Sequence, residues 1–431
     1  MAGKKFINAK LKGYNELQEI LVEDGVFKAI APHIDVDSDC EIEDLGGKLT
    51  LPPYVDPHIH LDYVFTARKQ GATNGTGTLF EGIQRWSETK SDLTIDEIKA
   101  RAIKVVNKKL YPGKWSKVKM EVSHGVQFIR THADVTDPNL TALKALLELK
   151  EELKDIVTIQ IVSFPQEGMY SYKDGDKLVE EGLKMGADCV GGIPHFEYCR
   201  EFGEKSIHKV VELAVKYDKL IDVHCDESDD PMSRFVELLT ALSIVEGIGP
   251  KTTASHTCSL GSVDNSYAFR MMKNFKKAGL NFISCPTENI YLQGRQDTYP
   301  KRRGITRVKE LYENGINVCF AQDSIQDPWY PAGNGNLMNV LDNGIHIAQM
   351  MSFEEMDNCL DLITVNGAKT MNISDIYGIE AGKPANFIVV DARSEFEAVC
   401  ERADVVASVR NGEYLFKKAP VAFEALSEFM A

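Results

Sequence analysis

Short apolar runs alternate with segments of helical apolar spacing through most of the chain. Eight apolar or β-rich runs end in polar, chemically capable residues, at 51–60, 126–134, 156–166, 188–195, 220–227, 252–257, 280–288 and 316–323. Between most of them lie helical patterns, at 140–153, 177–185, 207–217, 233–246, 267–279 and 306–315. Alternating strands and helices are typical of parallel βαβ units. The pattern predicts an α/β fold, a (β/α)8 TIM-type barrel with its reactive groups at the C-terminal strand ends.

The two ends of the chain follow a different pattern, in which short apolar runs are separated by Gly and Asp turns. Residues 1–50 contain FINAKL and EILVEDGVFKAIA, and residues 376–418 resume this style with a predicted hairpin turn at Asn411-Gly412. We therefore expect residues 1–50 and 376–431 to form one small composite β domain and residues 51–375 to form the barrel. A separate N-terminal domain is the alternative.

Net charge and cysteine usage limit the kinds of partner that the protein is expected to bind and the compartment in which it is expected. The 431 residues include 49 Lys+Arg and 64 Asp+Glu, a formal charge of −15, which argues against nucleic acid polymers and anionic membrane surfaces. No run of 18 apolar residues predicts a membrane span, and the first twenty residues lack the apolar segment of a secretory signal. The nine Cys are scattered without a C-x-x-C pair, which predicts reduced thiols in the cytoplasm.

The strand ends carry the residue types of a metal site. His58 and His60 alternate along an apolar strand, so both side chains point to the same face. His224, His256 and Asp323 lie at other strand ends and are further candidate ligands. Imidazole and carboxylate donors suit Zn²⁺, Fe²⁺ or Mn²⁺. Such a cation lowers the pKa of its bound water toward about 7, which predicts metal-assisted hydrolysis.

A carboxylate near one candidate ligand supplies the acid–base chemistry that hydrolysis needs. Glu227 follows His224 by three residues, close enough to act beside a metal without binding it. The alternative is a set of buried histidines held by carbonyls and carboxylates, which we disfavour because several unpaired imidazoles in one cavity are costly. The sequence contains no H-E-x-x-H, which excludes the zinc metalloprotease motif. The H-x-E at His195 is not followed by P-C-x-x-C, which excludes the zinc fold of nucleoside deaminases.

Several motifs resemble the bacterial cytosine deaminase family of the amidohydrolase superfamily: VDPHIHLD, FPQEG, IPHFE, HCDE, LQGRQDTYPKRRGITRVKE and DPWYP. The matches extend from about residue 50 to residue 390 and are especially close over 292–310. The resemblance implies a (β/α)8 barrel with a composite β-sandwich, one divalent metal ion (Zn or Fe) and a homo-oligomer. No Lys follows the fourth strand at IPHFEYC, so the bridging carbamate of binuclear relatives has no source and a mononuclear site is favoured.

The same resemblance assigns roles to the residues at the strand ends. It implies four metal ligands, His58, His60, His224 and Asp323. Glu227 would carry a proton to the ring nitrogen. His256 would orient the attacking oxygen and stabilise its charge, and Asp323 would accept a proton.

Substrate recognition is where the chain departs from the family. The resemblance implies that Gln166 recognises a ring amide and that Phe164 and Trp329 line a flat pocket. Around the last candidate metal ligand, Asp323, the sequences of cytosine deaminases resemble the pattern G-H-D-D. This chain has Ser324 in place of the second acid. Glu288 adds a carboxylate after the seventh strand. We interpret both changes as altered specificity.

These features predict a metal-dependent deaminase that releases ammonia from a small cyclic amidine. The leading substrates are cytosine and 5-methylcytosine, because losing an acid at Ser324 makes room for a methyl group. Creatinine, a cyclic guanidine that Glu288 could bind, is the alternative substrate, and isoguanine also stays open. The alternative classes are a cyclic amide ring hydrolase and a non-catalytic scaffold.

Overall fold

The structure, a computed structural model, describes residues 3–106 and 121–419. Its first four strands form a sheet in the order β3-β2-β1-β4, with β4 parallel to β1 and the other pairs antiparallel. A fifth strand joins a different sheet at the far end of the chain. These strands are β1 (Lys4–Ala9), β2 (Gln18–Glu23), β3 (Val26–Ala31), β4 (Glu41–Asp44) and β5 (Leu49–Leu51).

Eight parallel strands then pair in chain order, which confirms the predicted barrel. Each lies inside one of the eight apolar runs found in the sequence. Nearly all of their residues are buried, because helices cover the outside and side chains fill the inside. The strands are β6 (Tyr54–Ile59), β7 (Val126–Asp134), β8 (Thr158–Phe164), β9 (Cys189–Gly192), β10 (Leu220–Cys225), β11 (Thr252–His256), β12 (Asn281–Ser284) and β13 (Asn317–Phe320).

The last and first barrel strands meet just beyond the end of β13. Asp323 N donates to His58 O at 2.8 Å, and His60 N donates to Asp323 O at 3.1 Å. Ile59 and Asp323 form the parallel bridge there. The backbone that closes the barrel therefore also brings three candidate metal ligands to one place.

The C-terminal strands complete a sandwich with the N-terminal ones. The second small sheet has the order β16-β15-β14-β5, with β14 (Phe387–Val390), β15 (Val405–Arg410) and β16 (Glu413–Lys417). Residues from both chain ends share one apolar core, in which the rings of Phe6 and Phe387 lie 4.9 Å apart, edge to face. The hairpin turn at Asn411-Gly412 is confirmed, with φ of +49° and +81°. The exact domain boundaries, at residues 50 and 376, stay a prediction.

Helices cover the barrel, and every predicted helical segment overlaps one. They are α1 (Leu79–Thr89), α2 (Ile95–Val106), α3 (Thr141–Glu152), α4 (Gly175–Met185), α5 (Arg200–Tyr217), α6 (Phe235–Glu246), α7 (Asn265–Ala278), α8 (Pro286–Leu292), α9 (Val308–Glu313), α10 (Leu337–Ala348), α11 (Phe353–Met356), α12 (Val365–Thr370) and α13 (Glu395–Cys400). Among the described residues, none of these helices combines the length and apolarity that crossing a bilayer requires.

The seventh run ends in an α-helix rather than a strand. The sequence pattern extended the seventh strand to residue 288, but β12 ends at Ser284 and α8 begins at Pro286. Proline is tolerated in the first turn of a helix, where its missing N–H costs nothing, and it cannot donate to a strand ladder. Glu288 therefore lies on a short helix above the barrel rather than at a strand end.

Candidate active site

Four buried side chains converge at the C-terminal end of the barrel. His58 and His60 come from β6 and its end, His224 from β10, and Asp323 from the segment after β13. His224 Nε2 lies 3.2 Å from His58 Nε2 and 3.0 Å from His60 Nε2. Asp323 Oδ1 lies 3.6 Å from His58 Nε2 and 3.5 Å from His60 Nε2. The structure thus brings together all four residues predicted as metal ligands.

These distances suit donors arranged around one ion. Donors about 2.1 Å from a tetrahedral ion stand about 3.4 Å from one another. Burial first, and then neighbouring imidazoles, lower the pKa of His58, His60 and His224 well below its usual value. Each neutral imidazole has a free lone pair that can bind a cation. Without a cation between them, three ring nitrogens that face one another are buried polar atoms with little to stabilise them. The cluster therefore has the chemistry of a divalent metal site.

A chain of buried polar groups supports one of these imidazoles from behind. Ser255 Oγ lies 3.1 Å from His58 Nδ1 and donates to Asp222 Oδ1 at 2.6 Å. Arg130 in turn donates to the other oxygen of Asp222 at 2.9 Å. All four side chains are fully buried. Hydrogen bonds of this kind fix the orientation of a ligating imidazole and increase its basicity.

Glu227 and His256, the predicted acid–base residues, lie beside the four candidate metal ligands, and both contact the side-chain amide of Asn289. Asn289 Nδ2 donates to Glu227 Oε1 at 2.8 Å, and Asn289 Oδ1 lies 3.3 Å from His256 Nδ1. His256 Nδ1 is 3.5 Å from Glu227 Oε1 and 3.7 Å from Asp323 Oδ2. Burial raises the pKa of Glu227 well above its usual value, with Glu288 as the second cause, and lowers the pKa of His256 to about 4. A carboxyl and an imidazole that can exchange protons therefore face the candidate metal ligands.

A small cavity opens onto these groups, and its walls are partly aromatic. The ring of Tyr63 stacks on His60 at 4.5 Å, and the ring of Trp329 packs on Tyr63 at the same distance. Gln166 also lines the cavity, and its Oε1 has no hydrogen-bond partner among the described residues. Flat walls with one free amide oxygen suit a planar ring that offers an N–H donor. Among the predicted substrate residues, Gln166, Trp329 and Glu288 all line this cavity.

Two other predicted substrate residues sit elsewhere. Phe164 is fully buried, and its ring stacks on His224 at 4.1 Å, so it supports a candidate ligand and does not line the cavity. It is the last residue of β8, which places its side chain inside the barrel, deeper than the turn that follows. Ser324 is also buried and outside the cavity lining, although its hydroxyl is near enough to lower the pKa of Glu288 against the dominant effect of burial.

Sequence reasoning missed Tyr63, Asn289, Ser255 and Asp222 as members of the site. A signal existed for one of them: Asp222 precedes His224 by two residues on β10, so strand alternation places both on the same face. Ser255 precedes His256 directly, and Asn289 follows Glu288, yet neither residue type is distinctive alone. Their roles come from contacts between elements that are distant in the sequence.

Comparisons with known proteins show what this chain is similar to. The model of the Amidohydrolase family matches residues 41–416. The chain is similar to the crystal structure of 5-methylcytosine deaminase from Klebsiella pneumoniae liganded with 5-fluorocytosine, with 46% identity, a TM-score of 0.92 and coverage of 98% of this chain and 99% of that one. It is 29% identical to N-isopropylammelide isopropyl amidohydrolase of Pseudomonas sp. (strain ADP), over 87% of both chains. It is 26% identical to pterin deaminase of Rhizobium rhizogenes, over 93% of this chain and 88% of that protein.

Proposed function

The chain belongs to the amidohydrolase family, and from that premise we propose that it hydrolyses the exocyclic C–N bond of a cytosine-type ring and releases ammonia. We propose 5-methylcytosine as the leading substrate. The observation that carries this proposal is the full-length likeness, at 46% identity, to a solved 5-methylcytosine deaminase. The reaction replaces the amino group on the ring carbon with oxygen from water.

The proposed cofactor is one divalent ion, Zn or Fe, held by His58, His60, His224 and Asp323. This assignment is supported by the distances of 3.0–3.6 Å that separate the ring nitrogens of His58 and His60 from the His224 ring nitrogen and from one oxygen of Asp323. When bound, such an ion supplies a water whose pKa is lowered toward about 7. The donor set does not separate zinc from iron, because both metals accept imidazole and carboxylate ligands.

The proposed roles of the other residues follow from their positions around the cavity. Gln166 binds the ring through its free amide oxygen, while Tyr63 and Trp329 hold the ring flat against the aromatic wall. Glu227 passes one proton of the attacking water to the ring nitrogen beside the amino-bearing carbon. It then passes the second proton of that water, held meanwhile by His256 and Asp323, to the departing ammonia. His256, 3.5 Å from Glu227, takes up a proton from the attacking water and stabilises the charge that develops.

Substrate choice is proposed to depend on Ser324 and Glu288. A Ser at position 324 is smaller than the Asp that the cytosine deaminase pattern places there, and it carries no charge. That difference supports a ring with a methyl group. Glu288 lies on α8 and lines the cavity, so it would contact the substrate directly, whereas Ser324 lies outside the cavity lining and would act through Glu288 beside it.

The test is a substrate panel with metal-loaded protein and ammonia as the readout. We expect ammonia from 5-methylcytosine and, more slowly, from cytosine, with isoguanine and creatinine as the competing candidates. A ring-opened acid without ammonia would instead identify a cyclic amide hydrolase. No product from any of the four compounds would overturn the proposal.

Two further properties belong to the same proposal. We propose a cytoplasmic enzyme, supported by nine cysteines that the structure shows as free thiols, most of them buried. We also propose a homo-oligomer, supported by the resemblance of its motifs to cytosine deaminases. Gel filtration with light scattering measures the second property directly.

A further inference from the structure

The turn that carries Gln166 follows β8 directly and is tightly built. Gly168 N donates to Pro165 O at 2.9 Å, and Gly168 has a φ of +89°, a conformation that glycine adopts without strain. Gln166 is buried, and its unpartnered Oε1 belongs to a side chain that lines the cavity. The direction of this amide therefore depends on whatever holds the backbone of the turn on its C-terminal side.

On the C-terminal side, a single carboxylate holds three consecutive backbone amides. Glu197 Oε1 accepts from Met169 N at 2.6 Å and from Tyr170 N at 3.1 Å. Its Oε2 accepts from Ser171 N and from Ser171 Oγ, both at 2.8 Å. Ser171 Oγ accepts in return from Tyr198 N at 2.8 Å. Only 8% of Glu197 is exposed, so these charge-assisted bonds are made largely out of water.

Glu167, directly after Gln166, ties the same turn to the first helix of the barrel. Its Oε1 lies 2.5 Å from Lys90 Nζ, and its Oε2 accepts from Ser87 Oγ at 3.0 Å. Lys90 also contacts Asp134 at 2.8 Å, at the end of β7. The turn is thus anchored through two carboxylates, and Gln166 lies immediately before the first of them.

We propose that Glu197 is a positioning residue for substrate recognition. Its carboxylate fixes residues 169–171, and through the closed turn at Gly168 it fixes where the Gln166 amide meets the ring. The inference rests on the proposed function, because it assumes that Gln166 binds the substrate ring. Glu197 touches neither the cavity nor the candidate metal ligands, so its effect reaches the substrate only through the loop.

A double-mutant cycle tests this coupling. Glu197→Gln keeps the size of the side chain but turns an NH₂ group toward backbone N–H donors. We expect it to raise the KM for 5-methylcytosine and to lower kcat/KM about tenfold, the loss of one charge-assisted hydrogen bond. In a Gln166→Ala background the same change should have little further effect, because the group that it positions is gone. Metal content should be equal in all four proteins.

Matched variants separate positioning from general destabilisation. Glu204→Gln, at a partly exposed position of α5, removes a surface pair with Arg200 and should leave KM unchanged. Ser171→Ala removes one donor to Glu197 while keeping the carboxylate, and should shift KM in the same direction by a smaller factor. Ser171→Ala also tests the positioning role if Glu197→Gln fails to fold. A fall in melting temperature without a change in KM, or additive losses in the cycle, would overturn the inference.

The outcomes distinguish this inference from the proposed function. Ammonia release by the wild-type protein with additive variants would reject only the positioning role. Neither ammonia release nor binding of 5-fluorocytosine by the wild-type protein would reject the proposed function and the positioning role together. Release of ammonia with a non-additive cycle supports both.

Discussion

Glu227 is the residue whose removal most directly tests the proposed chemistry. Its carboxyl is buried, accepts from Asn289 at 2.8 Å and lies 3.5 Å from His256. Glu227→Gln keeps the shape and can still bond Asn289, but it cannot carry a proton. Because general acid–base catalysis contributes about 10²–10⁴-fold, we expect kcat to fall within that range while bound metal, measured by elemental analysis, stays constant.

A matched change controls for this experiment. Glu246→Gln, at the exposed end of α6, makes the same chemical substitution far from the cavity and should leave kcat unchanged. Near-wild-type turnover of Glu227→Gln would remove Glu227 from the chemistry.

Ser324 allows the methyl-group hypothesis to be tested at a single position. Ser324→Asp restores the acid of the cytosine deaminase pattern, which takes space and adds a charge beside Glu288. Methyl-sized discrimination in a pocket is worth about 10–200-fold, so the ratio of kcat/KM for 5-methylcytosine over cytosine should fall by at least about tenfold. Ser324→Ala stays small and neutral and should keep the ratio. An unchanged ratio in Ser324→Asp would show that position 324 does not select the substrate.

The sequence alone pointed to most of the cavity residues but not to those that support them. His58, His60 and His224 were visible because imidazoles at the ends of apolar strands are unusual and chemically specific. Asn289 and Ser255 were not visible, since a common polar residue gains its role only when folding brings it against another element. Phe164 was found by resemblance, yet its placement beneath His224 depends on where β8 ends.

Strands were easier to predict than the segments that follow them. The eight barrel strands are nearly continuous apolar runs, which is the pattern of strands buried on both faces. The segment at 285–288 was misread as the end of a strand because it continues an apolar run. Pro286 begins a helix there, and the helix places Glu288 and Asn289 over the cavity.

Contacts between neighbouring barrel helices predict an acid-dependent loss of stability. Glu180 on α4 accepts from Lys216 Nζ at 2.7 Å and from Tyr217 Oη at 2.6 Å, both on α5. The bond from Lys216 is the main cause that lowers the pKa of Glu180 from 4.5 to about 2. A carboxyl whose pKa is lower in the folded state stabilises the fold above pH 4.5, and that contribution is lost as the pH falls toward 2.

Glu180→Gln should therefore lower the free energy of unfolding at pH 6, and the difference from wild type should shrink below pH 4.5. The effect should stay under about 1 kcal/mol, because the pair is partly exposed to solvent. Urea unfolding at several pH values measures it. Glu181→Gln, next in the chain and only loosely paired with Lys184 at 3.6 Å, is the matched control and should change the free energy of unfolding at pH 6 less. A constant difference between pH 6 and pH 3 would contradict this interpretation.

The two chain ends are joined to each other and to the barrel, so the small sandwich is not an independent appendage. Lys4 on β1 contacts Glu413 on β16 at 3.0 Å, and Lys417 on β16 contacts Glu43 on β4 at 2.8 Å. Gln127 of barrel strand β7 donates to Val409 O of β15 at 2.8 Å. Sequence patterns predicted that both ends would combine because their strand styles match, but these pairings depend on the folded geometry.

The candidate metal ligands connect distant parts of the chain in the same way, which predicts how the whole protein responds to metal removal. They come from β6, β10 and the segment after β13, so one ion would tie the two edges of the barrel sheet to its middle. An ion that binds only the folded state stabilises it by about 2.7 kcal/mol at a free concentration of 100 times Kd.

A strong chelator should therefore lower the melting temperature and abolish ammonia release. Addition of Zn²⁺ or Fe²⁺ should restore both. His224→Ala removes one ligand, and its melting temperature should respond little to the chelator. A wild-type melting temperature that the chelator leaves unchanged would contradict a metal bound by these four residues.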